Sequence, residues 1–312
     1  MRKGVAVLLA AGLLTACVSP VGEEQRQEVI TALASEVYQP AYGQLATSAE
    51  AMAGALQAYC AGTGDVAAPR AAWNQTRDDW LVTRAFRFGP VGDARLAPDI
   101  DFAIDPTKVE AAAAGGEDAA ALGTDARGLG AVELLLFSEE PPEPGSPECD
   151  YLVSASGVIT ATAATAADGW GEYTGELIAM DSQDAVELAV NGISATLDEL
   201  VMMYLPDDAQ ATPAQRVDRD VDALYGSIDR AYFGGGSGGV GTLVAAASSG
   251  AGEDTSAAIQ ALGVAVPAVQ PAEVTGRAEA MEAAIEARRL VQTVVTSVLS
   301  TALLLGDSDG DS

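Results

Sequence analysis

YQPAYGQLATSAEAMAGALQAY, residues 38–59, steps its apolar side chains by four and three: Tyr38, Tyr42, Leu45, Ala49, Met52, Leu56 and Tyr59. That period lays one apolar seam along a helix, the pattern of a bundle helix packed on neighbours of its own kind. Upstream, Val29, Leu33 and Val37 carry the same seam, and Pro40 predicts a kink or break between the two parts because it has no N–H to donate. Downstream the period returns in Val186, Val190, Ile193, Leu197, Leu200 and Tyr204, and again in Val217, Val221, Leu224 and Ile228. A last run passes through Met281, Ile285, Val291, Val294, Val298, Ala302 and Leu305.

Punctuation between these runs marks the other helices. Pro69 suits the first turn of a helix carrying Trp73, Trp80 and Phe86, which Gly89-Pro90 ends. Residues 88–124 read as irregular, apart from a short helix around Pro106–Ala114, and the apolar run Ala131–Phe137 sits on another. Ser146 as N-cap and Pro147 behind it open a helix through Cys149, Leu152 and Ile159 to Trp170. Asp181 or Ser182 caps the next, which Pro206 stops, and Thr212-Pro213 start a further one. Gly234–Gly241 reads as a flexible loop, and the last helix is expected from about Pro271 to Leu305. Val291–Leu305 is interrupted by Gln292, Thr293, Thr296, Ser297, Ser300 and Thr301 and falls short of the ~20 residues a membrane span needs, so it reads as a buried bundle helix. The expected fold is all-α: two helix bundles side by side, residues 17–175 and 176–312, with the boundary near 171–182.

Composition narrows the function. Lys and Arg number 16 against 45 Asp and Glu, a net charge of −29, so the 312-residue chain repels phosphate backbones and nucleic-acid binding is not expected. Histidine is absent, which removes the commonest general base and the commonest zinc ligand together. Aromatic residues make up 5%, a balance that favours close-packed helices over sheets.

The N-terminus reads as an export signal, residues 1–16. Arg2 and Lys3 precede an apolar stretch, Gly4–Leu14, and Leu14-Thr15-Ala16-Cys17 forms a lipobox, so Cys17 is the expected site of lipidation and of attachment to the membrane. Removing Arg2 and Lys3 takes the charge from −29 to −31. Val18, where an Asp would favour inner-membrane retention, points to the periplasmic face of the outer membrane. In that oxidising compartment Cys60 and Cys149 are expected to pair, worth at most ~4–5 kcal/mol for so long a loop.

Several motifs carry little. Gly236-Ser237-Gly238-Gly239-Val240-Gly241 matches a dinucleotide fingerprint but follows a helix rather than a strand, and reads as a linker. Asn74-Gln75-Thr76 is a sequon without meaning behind a bacterial lipoprotein signal. Asp307-Ser308-Asp309-Gly310-Asp311 resembles the opening of a calcium loop without its bidentate Glu. Glu133 is more informative, because in Gly128–Phe137 it is a single carboxylate on an otherwise apolar helix and must meet a partner, a metal or water.

The segment Gly128-Leu129-Gly130-Ala131-Val132-Glu133 resembles the G-x-H-x-x-E motif of imelysin-like proteins, an insulin-cleaving metallopeptidase family that includes periplasmic iron-uptake components. Trp73–Val91, with Phe86-Arg87-Phe88-Gly89-Pro90, is similar to that family's Trp-rich helix, Cys149–Leu152 with Trp170 to its next helix, and Asp309-Gly310-Asp311 to its acidic ending. The resemblance implies two four-helix bundles with a functional cleft between them. It departs where Gly130 stands in place of the motif's His, so the peptidase activity does not carry over, and a site resting on carboxylates suits a hard divalent cation better than zinc. Ligand-binding candidates are Glu133, Arg87, Gly128, Asp309 and Asp311, with Glu133 expected at the bundle interface beside a cation or hydroxyl, and Arg87 one such partner. Three readings stand: a non-enzymatic envelope lipoprotein binding a metal, ligand or protein partner in iron uptake; a metallopeptidase; and a structural interaction module. The missing His weighs against the second, and Glu133 favours the first over the third.

Overall fold

Pro40 does not break its helix. In the computed structural model, which describes residues 19–206, 212–270 and 274–304, α1 (Glu23–Ala32) runs through a π-helical turn, Leu33–Tyr38, directly into α2 (Gln39–Cys60). Gln39 donates to the carbonyl of Ala34, five residues back, and Pro40, which has no N–H to donate, follows directly on this widened turn. The expected break is therefore a widened turn. Cys17 with the export signal, and Asp309 and Asp311, lie outside the described residues.

Caps set most of the remaining boundaries. After α3 (Ala67–Val82) come a 3₁₀ turn at Arg84–Phe86 and two four-residue helical turns, Pro90–Asp93 and Ala97–Ile100. Asp105 caps α4 (Pro106–Gly115) by accepting from Thr107 and Lys108 N–H, and Gly116 closes it in the left-handed region. Then follow α5 (Leu129–Leu136) and α6 (Pro147–Ala179), the latter opened by Ser146 and carried beyond Trp170. Asp181 caps α7 (Ser182–Glu199), which widens into a second π turn at Leu200–Tyr204.

Three boundaries differ from the sequence reading. Thr212-Pro213 do not start a helix: Gln215 turns left-handed (φ 50°), and α8 begins at Val217 and runs to Phe233. The expected loop Gly234–Gly241 is shorter than read, since Val240 already opens a helix, and behind it, where the sequence reading names no element, lies a helix pair, α9 (Val240–Ala247) and α10 (Ser249–Ala265), parted by Ser248, whose hydroxyl caps α10. The last run, α11 (Val274–Leu290), passes through a third π turn at Val291–Val295 to Leu299, where Ser300 (φ 56°) ends it six residues before Leu305.

The architecture is all-α. In the first half α2 packs along both α3 and α6; in the second, α10 packs along α9 and α11. The halves meet where α3 lies on α8, where the Arg84–Phe86 turn lies on α7, and where α1 crosses to α7 and α9. One continuous apolar cluster fills both, with Trp73, Trp80 and Trp170 completely buried and Trp170 stacked on Tyr42 at 5.5 Å between ring centres. Among the described residues no helix is long and apolar enough to cross a membrane. Cys60 and Cys149 form a disulfide, Cα atoms 5.4 Å apart, that ties the end of α2 to the start of α6 across 89 residues.

The tightest contact joins the halves. A Cβ on Gly192 of α7 would lie 1.8 Å from the carbonyl oxygen of Ala85, so this helix approaches the Arg84–Phe86 turn as only glycine permits. From the other side Ala85 N–H donates to Ser227 Oγ of α8 at 2.8 Å.

Two outcomes follow. Gly192→Ala should lower stability by at least the ~1–3 kcal/mol typical of overpacking, read from the urea midpoint, whereas Gly175→Ala, on α6 with no atom within 4 Å of its new methyl, should leave stability equal or higher by up to ~1 kcal/mol. Reduction of Cys60–Cys149 should lower the melting temperature, and mapping without reductant should recover the two peptides joined.

Candidate functional site

Gly128 opens α5 in a backbone region that L side chains avoid (φ 89°), and its Cβ would fall 2.8 Å from the carbonyl oxygen of Ile100. Its role is to let α5 start against the Ala97–Ile100 turn. One half-turn on, a Cβ at Gly130 would sit 3.2 Å from Ile104 Cγ2, so the side chain of Ile104 packs against the place where the family motif carries its imidazole.

Glu133 lies on the next turn, half-buried, and its Oε1 accepts the N–H of Ala214 at 3.0 Å. Its partner among the described residues is thus a backbone amide of the second half, in the stretch leading to α8, where the sequence reading expects a cationic or hydroxyl side chain. Arg87 serves elsewhere. Its guanidinium lies over the Trp80 ring at 3.5 Å and donates to Trp80 O at 2.8 Å and to Thr83 Oγ1 at 3.4 Å, bonds that close its own turn. Burial, with the positive charge of Arg84, pushes it down to about 10.

Around Glu133 the seam between the halves holds an ion network. Arg216, 3% exposed, donates through Nε to Asp220 at 2.6 Å, through Nη1 to Asn74 Oδ1 at 2.6 Å, and through Nη2 to Asp78. Asp78 also pairs with Arg219. Arg77 pairs with Asp101, lies 3.8 Å from Asp220 and donates to the Tyr204 hydroxyl at 3.2 Å, while Trp80 Nε1 donates to Asp101 at 3.2 Å. Arg84 pairs with Glu199 of α7. Burial alone would depress Arg77, but Asp101, Tyr204 and Asp220 more than offset it and hold it above the usual arginine range. Burial raises the Tyr204 hydroxyl above its ordinary range against the pull of Arg77.

The network brings α3, the Leu200–Tyr204 turn and α8 together; Glu133 joins this seam through Ala214, and Arg87 borders it, stacked on Trp80 and bonded within its own turn. The sequence carried a signal for it that periodicity alone passes over. Arg77 stands on the Trp73–Trp80 stripe, and Asp220 stands four residues before Leu224 on the apolar stripe of α8, so each places a charge where a bundle helix expects an apolar side chain. Beside the seam Leu205, Pro206, Ala278, Met281, Glu282 and Ile285 line an open, mainly apolar groove of about 440 Å³.

The donor set does not fit a metal of the kind the family motif holds. Among the described residues no three His, Cys, Asp or Glu side chains converge closely enough to hold a cation, and the seam carboxylates Asp78, Asp101, Asp220 and Glu199 are each engaged by an arginine. No step of chemistry is derived through a metal.

Comparison with known proteins agrees with the all-α fold. The family described as imelysin matches residues 38–302. An iron-regulated protein A precursor from Parabacteroides distasonis ATCC 8503 superposes with a TM-score of 0.75 at 19% identity, over 90% of this chain and 96% of that one. An imelysin-like protein from Psychrobacter arcticum 273-4 superposes with a TM-score of 0.75 at 16% identity, over 92% of this chain and 99% of that one. No curated protein matches the sequence.

Removing one partner of a buried pair leaves an uncompensated charge. Arg216→Ala should therefore cost about 3–5 kcal/mol, visible as a shift of the urea midpoint, because Asp220 and Asp78 lose their shared cation. Arg289→Ala, which opens an exposed pair with Glu286 on α11, should leave the midpoint in place.

Proposed function

The chain belongs to the imelysin family, and from that premise we propose that it is a lipid-anchored protein of the cell envelope, held by Cys17 at the periplasmic face of the outer membrane, that serves iron handling by binding rather than by catalysis. The observation that carries this reading is the junction at α5. The motif position at Gly130 is a glycine with Ile104 packed against it, and the motif carboxylate, Glu133, is spent on the backbone amide of Ala214. A peptidase needs a polarised water and a base free to take its proton; here the carboxylate that would serve fastens one half of the molecule to the other. The link to iron rests on the family and on the iron-regulated protein whose fold this chain shares.

The lipobox ending at Cys17 supports the anchor, and the strongly acidic body supports a role facing solvent rather than phosphate. A seam built from paired charges, beside an apolar groove, suits the capture of a ligand or protein partner.

In cells, the protein should fractionate with outer membranes, and Cys17→Ser should release it. Growth under an iron chelator should suffer when the gene is deleted and recover with the wild-type chain but not with the Cys17→Ser form. Purified protein should leave insulin intact with or without zinc. Zinc-dependent cleavage that Glu133→Gln abolishes would overturn the binding role.

A further inference from the structure

After Ser300 the chain leaves its helix and threads along α7, where three side chains spaced one turn apart hold it. Gln183 Nε2 donates to Leu299 O at 2.9 Å and to Ser300 O at 3.3 Å. Glu187 Oε2 accepts the N–H of Ala302 at 3.1 Å. Asn191 donates through Nδ2 to Ala302 O at 3.0 Å and accepts through Oδ1 from Leu304 N–H at 2.8 Å. Every one of these bonds goes to main chain. The Asn191 amide thereby presents one donor and one acceptor to residues two apart, which is how the edge of a β-strand meets its neighbour.

Leu299 and Thr301 are buried where the helix ends, and beyond them the side chains contribute less: Leu303 is half-buried, Ala302 is exposed, and Leu304 is 69% exposed, so its side chain is open to solvent rather than seated in a pocket. A row that bonds only main chain reads whether a polypeptide is extended and leaves its sequence unread. Residues 302–304, with so little apolar burial, are also free to open at small cost relative to the core.

We propose that Glu187 and Asn191, beside the helix end that Gln183 holds, form a clamp for the main chain of an extended polypeptide, that residues 302–304 occupy it in cis, and that a peptide segment of another protein takes their place. The partner segment is neutral or basic, since Glu187 lies in the clamp and the whole chain carries a net charge of −29. This inference rests on α7 alone and stands or falls apart from the metal question at α5.

The test uses the full chain and a labelled, end-capped peptide, Leu-Ser-Thr-Ala-Leu-Leu, followed by fluorescence anisotropy. Ala302→Pro removes the N–H that Glu187 accepts and loosens the resident segment, so this variant should bind the peptide at least tenfold more tightly than the wild type. Adding Asn191→Leu to it, close in shape but without either bond, should weaken binding at least tenfold, and Asn191→Asp, which keeps only the acceptor, should fall between. A peptide of the same composition in shuffled order should bind within about threefold, as expected of main-chain recognition. Melting curves confirm that each variant is folded. Absence of saturable binding to the Ala302→Pro variant, equal binding after Asn191→Leu, or binding by the native order alone would each overturn the proposal.

Discussion

The grip of α7 and α8 on the Arg84–Phe86 turn governs how the two halves of this molecule can sit. Gly192 brings the α7 backbone against the Ala85 carbonyl, and Ser227 takes the Ala85 amide from the opposite side. Ala85 of the first half is thus held through its main chain between both leading helices of the second. With this approach fixed, Arg84 reaches Glu199 and α3 lies along α8. A larger residue at position 192 would push the halves apart at the point from which the rest of the seam is measured.

The seam itself is polar where a simple bundle would be greasy. Arg77, Asp101, Arg216, Asp220 and Asp78 interlock at low exposure, and such networks add little net stability over apolar packing of the same volume. What they do supply is selectivity of docking. Apolar faces slide and still bury area, whereas Arg216 satisfies Asp220, Asp78 and Asn74 together in one relative position of α3 and α8. Glu133 acts in the same sense, fastening α5 to the backbone ahead of α8. The carboxylate of the motif segment thus bridges the two halves of the molecule.

Much of the fold was legible in the sequence because its boundaries are local chemistry. Ser146 and Asp181 cap the helices that follow them, and the 4–3 seam from Tyr38 to Tyr59 is buried as its period requires. What escaped is what depends on distant partners. Nothing near Pro40 distinguishes a break from a π turn, since the choice is made by the helices that α1 and α2 each pack against. The α9–α10 pair is built largely from Ala, Gly, Ser and Val, small residues whose apolar stripe is too faint to mark a helix, although Leu243 and Ile259 are buried in the common core. At the site, Glu133 could be singled out as a lone acid in an apolar run, but its partner Ala214 is 81 positions away and carries no side-chain signature.

The π turn at Leu33–Tyr38 also has a geometric consequence. A helix advances about 100° per residue, so accommodating one extra residue in a turn shifts everything beyond it by roughly that angle. α1 and α2 are one rod cut out of phase: before the turn its apolar stripe, with Val29 and Ile30, points toward α7 and α9, and after it the stripe points toward α3 and α6. A single uninterrupted helix therefore belongs to both halves, and deleting one residue between Leu33 and Tyr38 would bring the two stripes into line and force the chain to choose between them.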